Sequence, residues 1–96
     1  MFRELDPVLH SQLRLAIMSI LMTTDHAEFN FLKEQTQATS GNLSIQINKL
    51  KNAGYIEVKK KFKGNYPQTL CKITRLGIKK FEEYIDSLQE YLGQKK

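Results

Sequence analysis

Between Thr39 and Ile73 the chain reads TSGNLSIQINKLKNAGYIEVKKKFKGNYPQTLCKI, and this order of segments constrains the fold more than any other stretch. With Leu43 as zero on a wheel of 100° per residue, Ile47, Leu50 and Gly54 fall within roughly 40° of it and form one buried seam. Gly41, Ile45, Asn48, Lys49 and Asn52 lie opposite, and Asn42, Ser44, Gln46 and Lys51 flank them. Thr39-Ser40-Gly41-Asn42 reads as the turn into this helix, and Gly54 as its C′ residue. Tyr55 to Lys61 then alternates with β-type residues, and Leu70 to Thr74 is its expected partner. Phe62-Lys63-Gly64-Asn65-Tyr66-Pro67 supplies the turn between them, with a proline expected to end ladder pairing. A helix must therefore hand the chain directly to an antiparallel hairpin.

Charge follows the same boundaries. Residues 41–78 hold Lys49, Lys51, Lys59, Lys60, Lys61, Lys63, Lys72 and Arg75 against Glu57 alone, a net +7. Residues 1–40 are net −2 and residues 79–96 are neutral, so the whole-chain +5 is concentrated in the helix and hairpin. Such a local excess is the footprint of a phosphate-binding surface. Lys59 to Lys61 taken alone would also fit a solvated edge strand guarded against aggregation.

The rest of the sequence fits one small domain built around that unit. Asp6-Pro7 is a helix-start signal and Ser11 a second one, so the first helix is expected to begin in two pieces. Leu13, Ala16, Ile17, Ile20 and Leu21 give it an apolar stripe, and Thr23 to His26 read as a loop. Asn30 is placed as the cap of a short second helix carrying Phe31, Leu32 and Gln35, which ends near Gln37-Ala38. Thr74 caps a long last helix whose apolar residues Ile78, Phe81, Ile85, Leu88 and Leu92 are spaced 3, 4, 3, 4, with Tyr84 and Tyr91 alongside. The expected fold is mainly α with a small β-hairpin: a three-helix core, a two-stranded wing and a long C-terminal helix, the layout of a winged helix-turn-helix. Residues 1–96 form a single domain in this reading, with a dimerisation helix over about residues 75–92.

Several function classes are not supported. Leu13 to Met22 is interrupted by Arg14 and Ser19 and falls short of the ~20 apolar residues a membrane span needs. No basic n-region or cleavage site marks a signal peptide. Cys71 is the one cysteine, which suits a reducing cytoplasm and a small core residue. His10 and His26 share no metal-ligand spacing with other ligands, Glu82, Glu83 and Asp86 read as a solvated helix face, and no nucleophile-elbow, Walker or dinucleotide motif is present. No enzyme activity, metal or cofactor is expected.

Helix and hairpin divide the expected work on duplex DNA. Amides and hydroxyls read base edges, since Asn and Gln pair bidentately with adenine in the major groove. The candidates are Asn42, Ser44, Gln46 and Asn48, with Ser40 at the helix entry and Ile45 placed for a thymine methyl. Lys49, Lys51, Lys61 and Lys63 suit phosphates, which position the protein without specifying sequence. Asn65 beside Lys63 and Gly64 would reach the minor groove or the backbone. Phe81, Tyr84, Ile85, Leu88, Tyr91 and Leu92 are the expected homodimer surface, which would set two recognition helices about 34 Å apart. A winged helix used for protein contacts in a larger complex is the alternative, and the +7 argues against it.

The residues also carry a resemblance. Leu5-Asp6-Pro7-Val8-Leu9-His10-Ser11 with Arg14-Leu15-Ala16-Ile17, then Phe29-Asn30-Phe31-Leu32-Lys33, match short stand-alone winged-helix regulators of the MarR/ArsR-like group. So do Gly41-Asn42-Leu43-Ser44, Leu50-Lys51-Asn52-Ala53-Gly54-Tyr55-Ile56 and Ile73-Thr74-Arg75-Leu76-Gly77. The resemblance implies a homodimeric transcriptional regulator, with DNA read by the third helix and clasped by the wing. Many relatives place Arg or His just after the serine of that helix, where this chain has Ile45 and Gln46, so base preference does not carry over. No small-molecule effector is identified from the sequence.

Overall fold

The computed structural model describes residues 2–93. The elements are α1 (Gln12–Thr23), β1 (Ala27–Glu28), α2 (Phe29–Thr36), α3 (Ser40–Asn52), β2 (Ile56–Lys63), β3 (Tyr66–Ile73) and α4 (Arg75–Tyr91). The entry to α1 has the expected two pieces. Asp6 Oδ1 accepts from the Val8 N–H at 2.9 Å, and the Asp6 carbonyl accepts from Leu9 and His10 at 3.1 and 2.8 Å. That turn drives Leu9 into the core before α1 begins after Ser11, whose side chain makes no cap bond.

The second helix differs from expectation. Asn30 lies inside the first turn of α2, and Glu28 occupies the cap position without a side-chain bond. The reason is β1, a two-residue strand that pairs Ala27 with Cys71 and Glu28 with Leu70 and runs directly into the helix. The wing is thus part of a three-stranded antiparallel sheet, in the order β1-β3-β2. At the other end of α2, Gln37 takes a left-handed φ of 61° and its N–H closes onto the Lys33 carbonyl at 2.9 Å.

Thr39, not a longer turn, caps α3: its Oγ1 accepts from the Asn42 N–H at 3.1 Å, so Ser40, Gly41 and Asn42 form the first helical turn. At the C-terminus the N–H groups of Ala53, Gly54 and Tyr55 bond to the carbonyls of Lys49, Lys51 and Leu50. Gly54, with φ +82°, is the C′ residue and is exposed; it does not belong to the buried seam. Leu43, Ile47 and Leu50 do form that seam, against Ile17, Met18 and Leu21 of α1 and Leu32 of α2. Each fully buried leucine stabilises by about 1.5–3 kcal/mol.

The hairpin is longer than the alternation indicated. Eight residue pairs run from Ile56–Ile73 to Lys63–Tyr66, leaving only Gly64-Asn65 as the turn. Gly64 has φ +65°, which a glycine at the first central position of a two-residue hairpin accepts without steric cost. Pro67 does not end the ladder, because it pairs with Phe62. Lys63 and Tyr66 flank a two-residue loop and so form a hydrogen-bonded pair; the next pair, Phe62–Pro67, is of the kind whose N–H groups point away from the partner strand. The missing proline N–H faces an open edge there, since β1 reaches only Leu70 and Cys71 of β3. Cys71 is fully buried, and burial pushes its thiol up to about 11, which makes it inert at neutral pH.

Candidate nucleic-acid interface

The seam of α3 fixes what the rest of that helix presents. With Leu43 and Leu50 fully buried and Ile47 nearly so, Ser40, Asn42, Ser44, Ile45, Asn48, Lys49 and Lys51 are all exposed. Ile45 is 54% exposed in the middle of a polar face. Gln46 is different. It is half-buried, its Oε1 accepts from the Arg14 guanidinium, and its Nε2 donates to Asn42 Oδ1 at 3.0 Å. Gln46 is therefore not a free reader of base edges, because its amide is held by an arginine 32 residues earlier.

Strand parity decides which part of the hairpin shares a surface with α3. Ile56 and Val58 face the core, so Lys60 and Phe62 follow on the same side, opposite Thr69 and Pro67. Ser44, Ile47 and Asn48 of α3, Phe29 of α2, and Val58, Lys60 and Thr69 of the hairpin line one common hollow. Lys61 and Lys63, selected from the sequence, project from the other face of the ribbon with Glu57 and Lys59, and Asn65 sits in the turn. Lys60, one of the wing lysines weighed for phosphate contact, and its partner Thr69 lie on this side, where the alternation beginning at Ile56 and Val58 places them. Phe62 and Tyr66, 76% and 73% exposed, set aromatic rings among the tip lysines.

The architecture is three helices, a hairpin ending in a cationic tip and a long final helix. The profile of the winged helix DNA-binding domain matches residues 13–92. The chain belongs to the winged helix DNA-binding domain family. An uncharacterized protein of Methanocaldococcus jannaschii is 36% identical over 78 residues, 81% of this chain and 85% of that one. The transcriptional regulator homologue protein from Pyrococcus horikoshii OT3 superposes with a TM-score of 0.83 at 27% identity, over 90% of this chain and 85% of that one. AbsC, a MarR family transcriptional regulator from Streptomyces coelicolor, superposes with a TM-score of 0.71 at 17% identity, over 88% of this chain and 60% of its own. That last likeness is one of fold. The winged-helix fold is the one the sequence resemblance implied.

The last helix of this winged-helix domain carries a second surface. Its contact with the rest of the chain is made by Gly77, Tyr84 and Ser87, with Phe81 and Leu88 packed partly against the core. Tyr84 is buried within the chain itself, and its hydroxyl hydrogen-bonds His10 Nδ1 at 3.0 Å. Its assignment to a dimer surface is corrected on that ground. Ile78 and Ile85, each 37% exposed, and Leu92, 69% exposed, form the open half of the apolar stripe. Tyr91 is 45% exposed; its ring meets Phe2 at 4.9 Å and its hydroxyl donates to the Arg3 carbonyl at 2.7 Å. Arg3 in turn contacts Asp86 and Glu90, so the start of the chain is tied along α4. Its backbone N–H, bonded to Glu90, lowers that carboxyl's pKa.

Elsewhere the Tyr55 hydroxyl donates to Asp6 Oδ2 at 2.5 Å; burial, then this carboxylate, pushes the phenol far above its ordinary range. Among the described residues, no three His, Cys, Asp or Glu side chains are grouped to hold a metal. No helix among them is long and apolar enough to cross a membrane.

Proposed function

We propose that this chain is a sequence-specific duplex-DNA-binding transcription regulator that acts in the cytoplasm as a homodimeric repressor. In this reading α3 enters the major groove while the wing lies on the phosphates and the minor groove. The supporting observation is the shared hollow between Ser44 and Asn48 of α3 and Lys60 and Thr69 of the wing. It sets a base-reading hydroxyl and amide beside a phosphate-binding ammonium on a rigid scaffold. Asn42, Ser44 and Asn48 read bases, Ile45 meets a thymine methyl, and Ser40, Lys49, Lys51, Lys60, Lys61, Lys63 and Asn65 hold backbone or minor groove. Repression follows from occupancy of a promoter and needs no further surface.

Selection of bound fragments from random duplexes tests the recognition. Asn48→Ala is expected to flatten the preference at one position per half-site by roughly 1–3 kcal/mol while leaving non-specific affinity in place. An unchanged preferred sequence would remove Asn48 from the reading set.

Supporting the homodimer, Ile78 and Ile85 of α4 and Leu92 at its C-cap recur every seven residues and remain exposed. A second copy of that stripe would cover them, with Phe81, Leu88 and Tyr91 at its margins. The charge substitution Ile85→Glu is expected to turn a sedimenting dimer into a folded monomer and to abolish any preference for two-fold symmetric sites. If the variant still sediments as a dimer, α4 is not where two copies meet.

A further inference from the structure

We propose that Arg14, remote from the exposed face of α3, sets which hydrogen-bonding group Asn42 offers to a base and is a specificity-determining positioning residue. The proposal rests on the DNA-reading role given above to α3. Arg14 is half-buried and fixed from behind: its Nε donates to the Val8 carbonyl at 2.6 Å and one terminal nitrogen to the Pro7 carbonyl at 3.4 Å. The other terminal nitrogen donates to Gln46 Oε1.

Guanidinium has donors and no acceptor, and it keeps its charge at every pH a protein survives. Only the oxygen end of the Gln46 amide is therefore compatible with it. That orientation sends Gln46 Nε2 toward Asn42, where it donates to Oδ1 at 3.0 Å. With its oxygen engaged along the helix, Asn42 is left to present its NH2 group outward. A free asparagine offers one donor and one acceptor side by side and suits adenine, whereas this one is poised as a donor. Its best match in the major groove is an edge of acceptors, the O6 and N7 of guanine. The residue sits in the first turn of α3, immediately after the Thr39 cap, where recognition helices reach base edges.

Gln46→Glu reverses the relay with little change in size. A carboxylate accepts from Arg14 and from Asn42 Nδ2 alike, so the Asn42 amide inverts and turns its oxygen outward. Selection from random duplexes is expected to show the preference at one half-site position moving from guanine toward a donor-bearing edge, adenine N6 or cytosine N4, by roughly tenfold. The added charge weakens all sequences together and leaves that ratio as the readout. Arg14→Leu unlocks the relay, so the same position is expected to lose its preference without acquiring a new one. Arg14→Lys, still a donor without an acceptor, is expected to keep guanine.

Gln46→Glu binding with guanine still preferred overturns the relay, whether or not Arg14→Leu folds. Loss of affinity by Arg14→Leu equally on all duplexes, with preference intact, also overturns it and makes the arginine merely structural. Asn42→Ala separates the two levels: if that variant keeps the parental preference while duplex binding persists, the relay fails and the regulator reading stands. If the unaltered protein selects no sequence, the regulator reading itself fails.

Discussion

Gly77→Ala is expected to cost the domain about 3 kcal/mol or more, near the upper end for overpacking, and to lower its melting temperature by roughly 12–24 °C. A methyl at this position would lie 2.1 Å from the Tyr55 carbonyl oxygen, 2.9 Å from Ile73 Cγ1 and 3.0 Å from the Tyr55 carbonyl carbon. Two of those neighbours are backbone, and the backbone is held from several sides. The Tyr55 carbonyl accepts from the Thr74 N–H at 3.0 Å, and the Tyr55 N–H donates to Leu50 at 3.0 Å. Gly77 is held as well, because its own N–H donates to Thr74 Oγ1 at 3.0 Å, and that hydroxyl donates to the Gly54 carbonyl at 2.7 Å. Relief requires α4 to lift from the end of α3, which breaks the Thr74 cap and uncovers Tyr84. Thermal unfolding followed by circular dichroism measures the effect, and a drop under about 4 °C would show that the helix does not approach Tyr55 this closely.

That close approach joins the two surfaces to which the proposed function assigns DNA reading and dimerisation. The C-terminus of α3 and the N-terminus of α4 meet at Gly54, Tyr55, Thr74 and Gly77, so the α4 stripe is fixed in angle relative to the exposed face of α3. Two copies meeting along Ile78, Ile85 and Leu92 would carry their recognition helices at a separation set by this junction. A variant loosened there is expected to lose site spacing before it loses contact with DNA.

Much of this was legible in the chain because the signals were local. The seam of Leu43, Ile47 and Leu50, the stop at Gly54 and the cap at Thr74 each follow from residues within one or two turns, and all three are present. What the pattern could not show arises from partners far along the chain. β1 is two residues long and exists only because Cys71 and Leu70 lie beside it, so no periodicity marked it and Asn30 was placed as a cap. Tyr84 sat beside an apolar stripe on the wheel, and only His10, 74 residues away, shows that this side of α4 faces inward. Gln46 lies at the flank of the exposed face, where a wheel cannot register the arginine that takes its oxygen. The wing is an intermediate case. Alternation from Ile56 and Val58 carries Lys60 to the α3 side, whereas choosing lysines by nearness to the turn selects Lys61 and Lys63.

The largest effect on DNA binding is expected from Lys60, Lys61 and Lys63 replaced together by alanine. Each lysine–phosphate contact contributes about 0.9 to the slope of log affinity against log salt, so removing three flattens that slope by about 2.7 per wing. Over a tenfold range of salt the same contacts are worth roughly 500-fold, so the loss is large at 0.1 M and nearly absent at 1 M. Loss of three charges from a chain of net +5 would also weaken long-range attraction, and a matched variant separates the two effects. Lys59, Lys72 and Lys79 are exposed as well; the first two lie on the outer face near the base of the wing and the third on α4. Replacing those three with alanine changes net charge identically and is expected to leave the slope almost unchanged. Equal weakening by both triples would mean that overall charge, not the wing, drives binding. The slope also counts wings: a dimer seated on a two-fold site loses six contacts and its slope falls by about 5.4, against about 2.7 for one wing on one half-site. A single titration series therefore tests where the phosphates lie and how many copies hold them.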